Sequence, residues 1–297
     1  MTTLVWLQRE FRLDYLPALT TALNLPGEVI FAYFHDRNRL VGEANTVWLG
    51  QALKTLRHQL QQQNGALWIV EGDFETRFQH ILSQYNVHQV YYSFQVGEPF
   101  SGMQQSALAV CRKQDVKFTP FFSEFWLAPT DIQNQQGAPY LVFTPFYKAL
   151  MAKEDQFNPL SANHGALSKT SILPVPDDYN RLPESLSRLM ATPWAQKLLS
   201  HWQIGTSPAW QIWQDFVDTG LNDYEVHRDF PALAATSHLS AYLHFGHLPA
   251  RQLYFELQSL MADGAVTASS ASVWLRQLAW KEFARHLLYW FPHTQTE

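Results

Sequence analysis

Short, mostly apolar runs recur through the first part of the chain, at residues 4–7, 29–34, 67–70 and 90–94, with a shorter one, Val116-Lys117-Phe118, after them. A strand without polar alternation is buried on both faces, the situation of strands in a parallel sheet between helices. The intervening stretches have helical spacing. In residues 46–63, Leu49, Leu53, Leu56 and Leu60 fall four, three and four apart and share one face. Residues 76–85 and 103–114 read the same way. Strand–helix alternation of this kind predicts an α/β fold with a doubly wound parallel sheet. The G-x-G-x-x-G turn of dinucleotide dehydrogenases is absent from it. A ligand is still expected beyond the carboxyl ends of the strands.

The pattern weakens after residue 130. Gln133-Asn134-Gln135-Gln136-Gly137 is turn-rich, and prolines follow at 139, 145, 159, 174, 176, 183 and 193. Residues 131–201 are therefore expected to be a linker with little regular structure, joining an α/β domain at 1–130 to a helical region at 202–297. By the same pattern, residues 3–122 are expected to fold on their own. Ser207-Pro208 reads as an N-cap with proline at the first helical position. Trp210, Trp213, Phe216 and Val217 continue one stripe, and Pro249 opens a helix carrying Leu253, Leu257 and Leu260. Residues 272–290 are apolar on nearly every side yet carry Arg276, Gln277, Lys281, Glu282, Arg285 and His286. A helix this apolar should be buried, and its charges then need partners or a ligand.

Charge and cysteine content narrow the classes. The formal net charge of −5 lends no support to nucleic-acid binding by bulk electrostatics, so only a local basic patch would serve it. A single cysteine, Cys111, excludes a disulfide framework and fits a reducing cytosol. No signal peptide and no membrane-spanning run is read, so a cytoplasmic protein without a membrane partner is expected. Eleven tryptophans in 297 residues serve either core packing or redox chemistry, and composition does not choose.

Three segments carry candidate chemistry. Thr236-Ser237-His238-Leu239-Ser240 places three hydroxyls just before a helix, as an ordinary cap or as a phosphate cradle. Tyr224-Glu225-Val226-His227-Arg228-Asp229-Phe230-Pro231 alone reads as surface electrostatics. Residues 274–288 make either a core helix with satisfied polar edges or the floor of a cofactor and substrate cavity.

Their order and spacing are more specific than any one of them. With LVWLQREFRLDYLPAL at 4–19, PYLVFTPFYKAL at 139–150, YEVHRDFPAL, TSHLSAYLHFGHLPARQ and WLRQLAWKEFARHLLYWFP, the chain resembles the DNA photolyase/cryptochrome family along its whole length. The resemblance implies an N-terminal α/β domain holding an antenna chromophore and an all-α domain holding FAD, the latter incomplete here. It implies light-dependent repair of pyrimidine dimers in UV-damaged DNA by electron transfer from reduced FAD, a carbon–carbon lyase activity impaired in this chain. A cryptochrome-like light sensor and an inactive remnant are the alternatives. Carried over residue by residue, Tyr224 and Thr236, Ser237, His238, Leu239 and Ser240 would contact FAD. Arg228 and Lys281 would contact DNA, and Gln277 and Trp280 would be the catalytic residues against the dimer. Glu98, in Glu98-Pro99-Phe100, would contact an antenna of methenyltetrahydrofolate or deazaflavin type. No metal is implied.

The departures are informative. Gln277 stands where the family has a glutamate, and an amide exchanges hydrogen bonds without supplying a proton. Lys281 replaces an arginine and loses its planar fork. Tyr15-Leu16 stands for an Asp-Asn pair, and Asn45 falls near a usual arginine. Family members continue well past Phe291-Pro292-His293-Thr294, so a truncated, fragmentary or split form is expected.

Overall fold

The computed structural model describes residues 1–36, 42–163 and 171–296. Five strands form the parallel sheet: β1 (Thr2–Leu7), β2 (Glu28–His35), β3 (Trp68–Glu71), β4 (Val87–Ser93) and β5 (Lys117–Phe121), in the order β3-β2-β1-β4-β5. Helices α1 (Pro17–Leu23), α2 (Glu43–Gln62), α3 (Phe74–Gln84) and α4 (Phe100–Lys113) connect them. This is the doubly wound sheet expected from the sequence, with ends shifted by a few residues. Alternation along the strands sends successive side chains to opposite layers. Leu4, Trp6, Ile30, Phe34, Val90 and Tyr92 pack with Phe74 and Phe78 of α3 and with Ala107 and Cys111 of α4. Val5, Leu7, Phe31 and Tyr91 point the other way, onto α1 and α2. Cys111 is fully buried, and burial pushes its thiol up to about 12.

The expected linker is more structured than its prolines suggest. It contains α5 (Phe143–Met151), a two-residue strand β6 (Ser171–Ile172), α6 (Glu184–Met190) and α7 (Pro193–His201). Part of it, at 164–170, lies outside the described residues. β6 pairs in parallel with Glu28 and Val29, while β3 takes residues 32–35 of β2, so the connector completes a sheet edge. Prolines at helix starts account for the difference: Pro193 occupies the first turn of α7 and Pro183 precedes α6.

The helical part follows as α8 (Thr206–Thr219), α9 (Tyr224–His227), α10 (Ser240–His244), α11 (Ala250–Ala262) and α12 (Ala268–Trp290). Among the described residues, no helix is long and apolar enough to cross a membrane. Ser207 does not cap α8, contrary to expectation. The helix starts at Thr206, and its N-cap is Gly205 at φ 154°, where a Cβ would meet Thr55 Cγ2 at 2.9 Å. Close approach to α2, also seen in the Thr55 hydroxyl donating to the Ile204 carbonyl at 3.0 Å, selects glycine over a capping residue.

One apolar core runs from the sheet face carrying Val5 and Leu7 through α2 into α8, α11 and α12. Trp48 of α2 stacks on Phe245 with centroids 5.5 Å apart, and its indole N–H donates to His247 Nε2 at 3.1 Å. Arg12, fully buried, donates to the Gly246 carbonyl at 2.7 Å and to Glu124 at 2.6 Å. The α/β layer and the helical part are thus joined through a shared interior.

Candidate functional site

The site is organised by the turn that follows β1. Its backbone is held by Glu10, whose carboxylate accepts from the N–H groups of Gln8 and Arg9 at 3.4 and 2.8 Å and from the Gln95 amide at 3.3 Å. Burial, with Glu124 nearby, raises the Glu10 carboxyl to about 7. Burial also favours the neutral form of Glu124, but Arg12, Arg285 and Lys281 outweigh it and hold that carboxyl below its usual range. The turn is pressed against the loop after α10. At Gly246, with φ 61°, a Cβ would lie 2.6 Å from the Arg9 carbonyl oxygen, so the approach requires glycine there.

Two cavities open on either side of this turn. The first, of about 360 Å3, lies at the carboxyl ends of β1, β2 and β4, where the strand order reverses. Trp6, Phe11, Tyr33, Phe34, Leu49 and Met103 make it largely apolar, with Glu98 and Gln295 at its rim. The Gln295 carboxamide accepts from the Glu98 N–H at 2.6 Å and donates to the Glu98 carbonyl at 2.9 Å, tying the segment after α12 to this loop.

The second cavity, of about 370 Å3, lies between α9, α10 and α12 and takes in Tyr224, Ser237, Ser240, Trp274, Gln277 and Lys281. Lys281 and Gln277 are four apart on α12 and so share a face. Trp274 packs on Trp213 at 4.7 Å. Lys281 is mostly covered. Burial, followed by repulsion from Arg285, lowers its ammonium to about 8, and Glu282 lies 3.4 Å away.

Five residues singled out from the sequence therefore meet at one cavity: Tyr224, Ser237, Ser240, Gln277 and Lys281. Others lie elsewhere. Thr236 and His238 are exposed, His238 with φ 52°, and Leu239 is buried in the core. Leu239 is the N-cap of α10 and makes no side-chain cap, so the hydroxyl run does not cap that helix from its N-cap position. Arg228 lies over the Tyr224 ring at 5.4 Å and pairs with Asp229 at 3.3 Å. Trp280 is not part of the cavity lining; it is half exposed, with one face stacked on Phe143 at 3.8 Å. Glu98 belongs to the first cavity.

Arg9, His244 and Arg285 line both cavities. Arg285 is one of the charges on residues 272–290 expected to need a partner or a ligand, whereas Arg9 and His244 were not singled out from the sequence. For Arg9, the rule that ligands gather beyond strand carboxyl ends was the available signal. His244 stands in a cationic setting: burial, then Arg9, Arg285 and Lys281, lower its imidazole to about 4. Among the described residues, no group of three or more metal-ligating side chains occurs.

Comparison with known proteins bears on the fold and the family. The deoxyribodipyrimidine photo-lyase of Agrobacterium fabrum is 26% identical over 294 residues, covering 97% of this chain and 59% of its own length. The crystal structure of a bacterial class III photolyase from Agrobacterium tumefaciens superposes with a TM-score of 0.88 at 26% identity, over 98% of this chain and 60% of that one. An archaeal photolyase from Sulfolobus tokodaii, solved with two FAD molecules, shares the fold at a TM-score of 0.74 and 18% identity, over 99% of this chain and 60% of that one. The chain thus spans about three-fifths of the length of each of these proteins. The model of the family described as DNA photolyase matches residues 3–164, more than half of the sequence, and the chain belongs to that family.

Proposed function

We propose that this chain forms the front part of a flavin-dependent, light-driven lyase that repairs pyrimidine dimers in DNA. The observation that carries the reading is the meeting of Tyr224, Ser237, Ser240, Gln277 and Lys281, drawn from three separate sequence segments, at one cavity. The donor set fits the phosphate and ribityl end of FAD: two serine hydroxyls, a phenol and an ammonium that donates only. Bound reduced FAD would supply the electron that opens the dimer's cyclobutane ring. Ser237 and Ser240 would hold phosphate oxygens, and Tyr224 would close the side of the cavity. Gln277 would exchange hydrogen bonds with ligand carbonyl and N–H groups, but has no proton to give. Thr236, His238 and Leu239 would act through the course of the loop, since they stand outside the cavity.

UV-damaged DNA is the partner of this reading. A dimer would have to be extruded from the duplex to reach a flavin. Arg228 and Trp280, at the surface beside the cavity, would meet the strand, with Lys281 behind them. The first cavity, with Glu98 at its rim, would take an antenna chromophore. A second reading, a cryptochrome-like sensor that binds flavin without repair, is favoured by Trp280, one face of which is already occupied by Phe143.

The test is the flavin released from the purified chain after reconstitution with FAD, followed by blue-light repair of dimer-containing DNA. Bound FAD that Ser237→Ala with Ser240→Ala weakens, together with repair, supports the lyase. Bound FAD without repair favours the sensor. No FAD uptake refutes the cofactor assignment for this chain.

A further inference from the structure

The wall between the two cavities holds more positive charge than its surroundings compensate. Arg9 and Arg285 face both cavities, and Lys281 faces the second. The Arg9 guanidinium lies over the Phe100 ring at 5.0 Å, and its buried Nε has no hydrogen-bond partner. Arg285 lies over Phe125 at 5.2 Å and donates to the Glu124 carbonyl. Among the described residues, no carboxylate forms an ion pair with either guanidinium. The nearby acids are engaged: Glu124 with Arg12 at 2.6 Å, and Glu10 with the backbone of its own turn. Glu10 and Glu124 thus act on these guanidiniums only from a distance, and a buried cation with no carboxylate in contact is costly unless a ligand supplies one.

We infer that Arg9 and Arg285, backed by Lys281, form an anion site in this shared wall that takes a phosphate or pyrophosphate group. A guanidinium fork matches two phosphate oxygens, and a charge-assisted bond of this kind is stronger than a neutral one. The hydroxyls of Ser237 and Ser240 lie on the second-cavity side, so the phosphate sits there. Arg9 comes from the α/β layer and the serines from the helical part, so the group bound would tie the two together. The flavin reading is needed only to name the source of the phosphate.

Calorimetric titration of the whole chain with inorganic pyrophosphate at low salt tests the site. Arg9→Gln is expected to weaken binding roughly tenfold or more, the scale of a lost hydrogen bond between charged groups. Arg9→Lys, which keeps the charge, is expected to fall between the two, and it serves as the folded comparison if Arg9→Gln melts early. Ser240→Ala is expected to weaken binding less, and Thr46→Val, on the first-cavity side, to leave it unchanged. No pyrophosphate binding, or equal affinity in Arg9→Gln, overturns the inference. So does loss on Thr46→Val with Ser240→Ala unaffected, which moves the phosphate to the first cavity. Arg9-dependent pyrophosphate binding in a chain that takes up no FAD upholds the site and refutes the flavin assignment alone.

Discussion

Up to the end of β5, Met1 and Leu25 are the exposed large apolar side chains among the described residues, whereas after residue 140 Leu141, Val142, Trp194, Val226, Phe230, Leu233 and Trp280 are all exposed. The sheet has helices on both faces and has closed its layers. The helical part has closed only the side that faces the sheet. Its other side, around α9, the loop after it and α12, leaves apolar surface open next to the second cavity. An apolar surface of this kind marks a place where something else packs. The two parts differ in completeness while sharing one core, so loss of the joints between them should damage both.

The largest effect is expected at the joint. Arg12 is fully buried and bonded to Glu124, the Gly246 carbonyl and the Tyr15 carbonyl. Arg12→Ala strands the Glu124 carboxylate, a change that costs about 3–5 kcal/mol when one partner of a buried pair is removed. Urea unfolding followed by far-UV circular dichroism and tryptophan fluorescence should show one coincident transition at lower urea. Two separated transitions, with the sheet unaffected, would mean that residues 3–122 are autonomous and that the shared core matters little. The exposed Arg188–Glu184 pair within α6 is the control, and Arg188→Ala should change stability by less than about 1 kcal/mol.

A second, smaller effect concerns pH at the same joint. His247 accepts from Trp48 at Nε2 and donates from Nδ1 to the Phe11 carbonyl at 3.1 Å, an arrangement open only to the neutral ring. Burial lowers its imidazole from 6.5 to about 4. The unfolded chain then takes up the proton first as pH falls. Stability from this group is complete above about 6.5, is lost between 6.5 and 4, and changes no further below. The loss is up to roughly 3 kcal/mol. His244 and His286, also lowered to about 4 chiefly by burial, add to the same slope. Glu10, raised from 4.5 to about 7, acts in the opposite sense and loses its contribution as pH rises through that range. His247→Gln keeps a donor and an acceptor and should flatten the acid side of a stability–pH profile. Glu10→Gln should flatten the neutral side. An unchanged profile in His247→Gln would remove His247 from the joint.

The same contrast governs what was legible in the sequence. β1 to β4 were readable because each is a mostly apolar run flanked by a helical period, a local signal that the sheet then uses directly, whereas β5, Lys117–Phe121, is partly polar and was readable only from the short Val116-Lys117-Phe118. The helices at 143–151, 184–190 and 193–201 were missed because prolines were read as breakers. Pro145 and Pro193 instead lie in first turns, where a missing N–H costs little. Strand β6 is two residues long and has no period to detect. At the site, Tyr224, Ser237, Ser240, Gln277 and Lys281 were legible through family resemblance, because each lies in a distinctive segment. Arg9 and His244 were not. Their shared wall exists only because Gly246 lets two segments more than two hundred residues apart touch, a tertiary fact without local trace.

The smallest expected change in stability tests the open side itself. Val226 and Phe230 are 65% and 56% exposed, on α9 and just after it. Replacing both with serine removes apolar surface without opening a cavity, and exposed substitutions away from special features stay within about 0.5 kcal/mol. The urea midpoint should therefore hold while self-association, read by light scattering across a concentration series, falls. A midpoint lowered by more than about 1 kcal/mol would mean that these side chains already have packing partners. The helical part would then be as closed as the sheet. An unchanged midpoint with unchanged association would leave the surface open but not adhesive, and would shift attention to Leu141, Val142 and Trp280 on the side formed by α5 and α12.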